Sequence, residues 1–361
     1  SHHRGDGWCP ESQMAADEST ACRLNPDQCL TRGSWVKLIC GASNQDLTAI
    51  ADLCALYGAA GVSCVDVAAD SAVVRAARQG LDWLDESGFP RPWLMVSVSD
   101  GPDAHFRKAW FDPTRCPSDC PRPCERICPA DAIAFNTAVD ARRCYGCGRC
   151  LPACPHGYIS ERDHRLDNVA IATLLAEVRP DAVEVHTAPG RSEAFDAVIA
   201  ALAVSRVPLQ RLAVSCGLEG HALTPQALSC ELWSRFNSLR RHGLRPLWQL
   251  DGRPMSGDVG AGTARAAVQL WRRLSPLAPP GPLQLAGGTN GHTIDLLGVD
   301  EYPAGVAFGG MARRVVMPLI LEAQARGTAL RHWPEGWRRG LALAEALVRP
   351  WQARCLTTDL C

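Results

Sequence analysis

The chain has 361 residues, a formal net charge of −1, and 47% hydrophobic against 21% charged residues. That length supports one large core with a smaller unit beside it, and the balanced charge offers no electrostatic basis for binding nucleic acid or an anionic membrane. No run of about 18 apolar residues occurs, so no transmembrane segment is expected. The 18 cysteines sit in a chain too long for a secreted disulfide scaffold, which points to metal and a reducing, cytoplasmic setting.

In chain order, residues 1–34 are polar and turn-rich without the apolar core of a signal peptide, and are expected to form a poorly ordered extension. Short apolar, β-branched runs then recur at 35–42, 64–70, 93–100, 182–187, 211–217, 246–252, 283–289 and 305–311. Helix-like stretches follow them at 45–60, 71–86, 191–203, 225–243, 261–275, 290–298 and 313–326. Alternation of this kind implies a parallel sheet. Eight units, apolar on both alternations, predict a closed (β/α)8 barrel with both strand faces buried. A Rossmann sheet is the weaker choice, because no GxGxxG follows an early strand. The barrel is expected over 35–104 and 161–330, and 331–361 is read as a terminal helix and tail covering its bottom or side.

About 80 residues separate the third strand from the fourth, and both cysteine runs lie there, predicting an insertion over 105–160. A loop after a barrel strand opens at the C-terminal mouth, so the insertion is expected to hang over it. The second run, Cys144-x2-Cys147-x2-Cys150-x3-Cys154-Pro155, has the spacing of a bacterial ferredoxin motif, whose fourth thiolate serves the partner cluster. Gly146 and Gly148 let the backbone wrap closely. The first run, Cys116-x3-Cys120-x3-Cys124-x3-Cys128-Pro129, resembles the other half of that motif, with one extra residue in each of its first two gaps. Crossed assignment puts Cys116, Cys120, Cys124 and Cys154 on one cluster, and Cys128, Cys144, Cys147 and Cys150 on the other. The second is expected to be [4Fe–4S]; the widened gaps leave the first open between [4Fe–4S] and [3Fe–4S]. Two structural zinc sites are the competing reading.

Alternate strand positions share a face. This groups Lys37 with Gly41, Asp66 with Asp70, Ser97 with Ser99, Glu184 with His186, Ser215 with Gly217, and Gln249 with Asp251. Polar groups aimed into a barrel need each other or a ligand. Lys37, Glu184 and His186 are the acid–base candidates. Gly287, Gly288, Gly309 and Gly310, ending the last two strands, suit a phosphate or flavin phosphate held by backbone N–H groups, and Arg253 suits a carboxylate or phosphate clamp. No Ser-His-Asp or HExxH pattern supports a hydrolase.

Together WVKLICGASNQDL, CVDVAADSAVV, the two cysteine runs, AVEVHTAPGR and DGRPMSGDVGAGTA resemble the cyanobacterial light-dependent-period (LdpA) family, over about residues 35–325. The resemblance implies an iron–sulfur protein that senses cellular redox state and passes light-dependent information to the circadian clock. It also implies a clock-input histidine kinase and other clock proteins as partners, and the eight clustered cysteines as ligands. It supplies no catalytic residues. The rival expectation is an iron–sulfur oxidoreductase with a substrate or flavin at the barrel mouth.

Overall fold

The computed structural model describes residues 24–40, 47–102, 106–128, 130–134, 137–141, 143–144, 146–217, 223–252 and 261–354. The chain begins with α1 (Pro26–Arg32), β1 (Trp35–Ile39), α2 (Leu47–Ala60), β2 (Cys64–Ala68), α3 (Ser71–Glu86) and β3 (Trp93–Ser99). It then leaves this alternation for β4 (Arg107–Trp110), α4 (Pro123–Ile127), α5 (Cys150–Ala153) and β5 (Ser160–Asp163). The alternation resumes with α6 (Asn168–Val178), β6 (Ala182–His186), α7 (Ser192–Val204), β7 (Arg211–Cys216), α8 (Pro225–Arg241) and β8 (Pro246–Asp251). It ends with α9 (Arg265–Leu274), β9 (Leu283–Ala286), β10 (Gly305–Phe308), α10 (Gly310–Ala325) and α11 (Pro334–Gln352). Eight parallel strands close in the order β1-β10-β9-β8-β7-β6-β3-β2, while β4 and β5 form a separate antiparallel pair.

The two faces of the barrel strands have different company. Val36, Leu38, Val65, Val67, Val96, Val183, Val214 and Leu250 face outward into one continuous core with the surrounding helices. Trp35, Cys64, Met95, Ala182, Ala213 and Leu247 point inward and form a separate apolar layer at the N-terminal end of the barrel. Leu30 of α1 closes that layer from below. The α1 helix is held by a reciprocal capping box between Asn25 and Gln28, and by Asp27 pairing with Arg211 (2.8 Å) and Arg245 (2.6 Å).

The structure corrects several expectations. The extension predicted over 1–34 ends earlier: residues 24–33 are an ordered plug, while 1–23 lie outside the described residues. The helix expected over 290–298 is only a 3-10 turn at Ile294–Leu296. There Asn290 accepts from the His292 N–H and Thr293 accepts from the Asn290 N–H, so side chains take backbone donors a helix would need. Helix α6, absent from the sequence reading, follows the insertion and carries its own N-cap, Asp167. The insertion therefore lies between β3 and the helix of the same βα unit, with its hairpin running to Asp163 rather than ending at 160. Helix α11 packs along the barrel side against α2 and α10, and its Trp351 and Gln352 reach the carbonyls of Gly33 and Gly61 near the bottom. Among the described residues no helix is long and apolar enough to cross a membrane.

Candidate functional site

The inserted unit has a small core of its own: Phe111, Cys124, Ile133, Cys150 and Ile159. Around it the thiols sort into two sets. Cys116, Cys120, Cys124 and Cys154 line one cavity with Phe111 and Tyr158. Cys128, Cys144, Cys147 and Cys150 line another with Ala109, Ile133 and Val139. The last cysteine of each run thus stands with the first three of the other.

Local geometry explains how so much sulfur is gathered. Gly146 adopts φ +81°, and a Cβ there would lie 2.2 Å from the Arg107 carbonyl oxygen, so only glycine lets the Cys144–Cys147 loop rest on β4. Backbone N–H groups of Arg122, Ala132 and Tyr158 donate to the sulfurs of Cys120 (3.4 Å), Cys128 (3.3 Å) and Cys154 (3.5 Å). Burial, with Cys144 and Cys147 adjacent, pushes the Cys150 thiol up to about 12. Four sulfurs this close cannot all ionise unless a cation stands among them, and that is the donor chemistry of an iron–sulfur cluster. The thiols ring two cavities, each offering four sulfur donors, the ligand set of an iron–sulfur cluster. Of the other cysteines, Cys40, Cys54, Cys64 and Cys216 are buried and Cys230 is exposed.

Inside the barrel, a polar layer stands above the apolar one. Lys37 is fully buried and its ammonium meets Glu184 (2.6 Å), Gln249 (2.7 Å) and Asp66 (3.0 Å). Ser97 donates to Asp66 (2.6 Å), Gln284 donates to Gln249 (3.0 Å), and Trp35 donates to Gln284 (2.8 Å). His186 Nε2 sits 2.6 Å from the second oxygen of Glu184. The sequence candidates Lys37, Glu184 and His186 therefore meet in one network. Burial opposes charge on Lys37, yet Asp66 and Glu184 raise its pKa further. Burial likewise opposes charge on Glu184, but Lys37 and His186 override it and hold the carboxyl well below its usual range. Such a locked ion cluster does not hand protons on near neutral pH. One layer higher, Asp251 is pushed up to about 7 by burial and the Glu184 charge.

The glycine candidates diverge. Gly288 has φ +79° and its missing Cβ makes room for the Thr263 backbone, 2.5 Å from where it would stand, so this glycine admits protein. Its carbonyl also accepts from the Thr263 hydroxyl (2.6 Å). Gly287 precedes it with φ +74°. Gly309 and Gly310 stand at the N-terminus of α10, which has no side-chain cap. Arg253 and Gly41 lie outside the described residues.

Two residues at the seam between insertion and barrel, Phe106 and Lys108, escaped the sequence reading as functional. Phe106 presents its ring to His186, edge to face at 6.0 Å. Lys108 bonds Asp70, the N-cap of α3 at the end of β2 (2.7 Å). No local spacing marks these contacts, because each joins elements far apart in the chain.

Comparison with known proteins bears on both regions. Residues 116–165 match the LdpA Fe-S cluster-binding domain, and residues 174–350 match the Light dependent period A C-terminal domain. Light dependent period A from Synechococcus elongatus is 44% identical over 334 residues, covering 90% of this chain and 93% of that protein. Among solved structures, the carboxyl transferase domain of Rhizobium etli pyruvate carboxylase with 3-bromopyruvate aligns at a TM-score of 0.44 and 12% identity, over 93% of this chain and 50% of that one. This chain thus spans half its length. The (S)-3-O-geranylgeranylglyceryl phosphate synthase of Thermoplasma acidophilum aligns at 0.38 and 11% identity, over 81% of this chain and 93% of that one.

Proposed function

Because the chain belongs to the light dependent period A family and carries that family's iron–sulfur cluster-binding domain, we propose that it holds two clusters and relays cellular redox state to circadian clock proteins. The observation that carries the reading is the sorting of eight thiols into two rings of four. We assign Cys116, Cys120, Cys124 and Cys154 to one cluster, and Cys128, Cys144, Cys147 and Cys150 to the other. We assign [4Fe–4S] to both, because each ring offers four thiols, despite the widened gaps of the first run.

When bound, such a cluster supplies a one-electron centre whose potential is set by hydrogen bonds to sulfur and by exposure. This chain's share is to orient the thiols through α4 and α5, to direct N–H groups at Cys120, Cys128 and Cys154, and to shield the rings with Phe111, Ile133 and Ile159. The proposed partners are a clock-input histidine kinase and other clock proteins. Signalling requires that such a partner bind the oxidised and reduced forms with different affinity.

Protein purified without oxygen is expected to contain about eight irons and as many acid-labile sulfides per chain, with a reduced-state EPR signal of two [4Fe–4S] centres. Colourless, zinc-loaded material would overturn the reading. A second reading, favoured by Asp251 and half-buried His186 at the mouth, is an oxidoreductase to which the clusters deliver electrons. Stoichiometric flavin or a phosphorylated ligand in the same preparation would promote it.

A further inference from the structure

Arginine supplies nearly every cation of this chain: of its 37 lysine and arginine residues, only Lys37 and Lys108 are lysine. Lys37 is locked in the barrel centre. Lys108 stands on β4 of the insertion, largely buried, and its ammonium ties the insertion to the barrel. One partner is Asp70 Oδ2 at 2.7 Å, on the barrel. The other is the carbonyl of Ala141, three residues before Cys144. The same loop leans on β4 again where Gly146 meets the Arg107 carbonyl. Arg107 is flanked by Lys108 and by Phe106, whose ring faces His186. An ammonium offers three donors from a single point, so it can serve a carboxylate and a carbonyl at once.

We propose that Lys108 is a latch set by occupancy of the second thiol ring. With Cys128, Cys144, Cys147 and Cys150 gathered on a cluster, the loop holds the Ala141 carbonyl against Lys108 and so keeps the insertion seated on Asp70 at the barrel mouth. With that ring empty, the loop loses its anchor, Lys108 loses one of two acceptors in a poorly hydrated place, and it moves out to water. The latch rests on the cluster reading above, and it gives the barrel mouth a means of registering the state of the insertion.

The two lysines make the test direct. Anaerobic acetylation with N-hydroxysuccinimidyl acetate, followed by peptide mass spectrometry, reads each separately. Both are expected to react slowly in the iron-loaded protein. After chelation of the iron, or in Cys144→Ser, labelling of Lys108 is expected to rise on the order of tenfold, the mark of local opening, while Lys37 stays protected. Asp70→Asn is expected to raise Lys108 labelling in loaded protein with iron content unchanged, since Asn caps α3 as well as Asp does. Lys108 labelling that ignores iron loss overturns the latch, and so does an equal rise at Lys37, which means the whole barrel opens. Native protein without iron would overturn the cluster reading, and the latch with it.

Discussion

The barrel interior and the cysteine-rich insertion both gather groups that are costly to bury, and they deal with the cost in opposite ways. In the barrel Lys37 meets its counter-charges across strands, Asp66 on β2 and Glu184 on β6, and within β6 His186 stands 2.6 Å from Glu184. The layer is complete in itself. In the insertion eight thiols, donors of one kind, ring two cavities instead. A buried polar set that satisfies itself is architecture, and one that leaves a shaped space among like donors is a binding site.

The contrast breaks most sharply at Lys37. Lys37→Met keeps the volume but leaves two carboxylates in the barrel without their cation, and is expected to cost about 3–5 kcal/mol. Denaturant unfolding reads it, with iron content following only as the barrel fails. Gly146→Ala is the mirror experiment. It forces φ +81° and a contact with the Arg107 carbonyl, a strain of about 1–3 kcal/mol. Loss of iron from the second ring is expected, with the barrel's melting temperature unchanged.

A third test uses pH. The folded pKa of Asp251 is raised from 3.8 to about 7, so the folded state keeps a proton that the unfolded chain releases. Its contribution is fully present below 3.8 and is lost as pH climbs towards 7, at up to about 1.4 kcal/mol per unit. Asp251→Asn is expected to flatten that decline in a pH series of unfolding curves. Glu184 runs the other way: its depressed pKa gives stability that is lost as pH falls below 4.5. The smallest effect is expected at the plug, where Asn25→Ala removes half of a capping box and costs about 1 kcal/mol. A thermal melt reads that change.

Much of this was legible in one dimension because it is written in local periodicity. All eight barrel strands overlap the runs picked out by apolar, β-branched residues, since a strand buried on both faces needs them at every position. The cysteine runs were legible because a cluster is wrapped by consecutive turns of backbone, which sets short spacings. The helix expected over 290–298 failed for an equally local reason, the competing side chains of Asn290 and Thr293. Leu30 was missed because its apolar partners lie on strands from β1 to β8, and nothing near it in sequence reveals them.

The amino-acid sequence by itself determined the alternation of strands and helices, the break after the third strand, and the presence of two four-cysteine runs. Those features depend on residues within a few turns of one another. Only the tertiary structure decided that Lys37 is locked by three strands, that burial and the Glu184 charge raise the pKa of Asp251 while Lys37 and His186 lower that of Glu184, and that Lys108 ties the insertion to Asp70. Charge is tuned by whatever lies within a few ångströms, and closing the barrel brings together side chains that are more than a hundred residues apart.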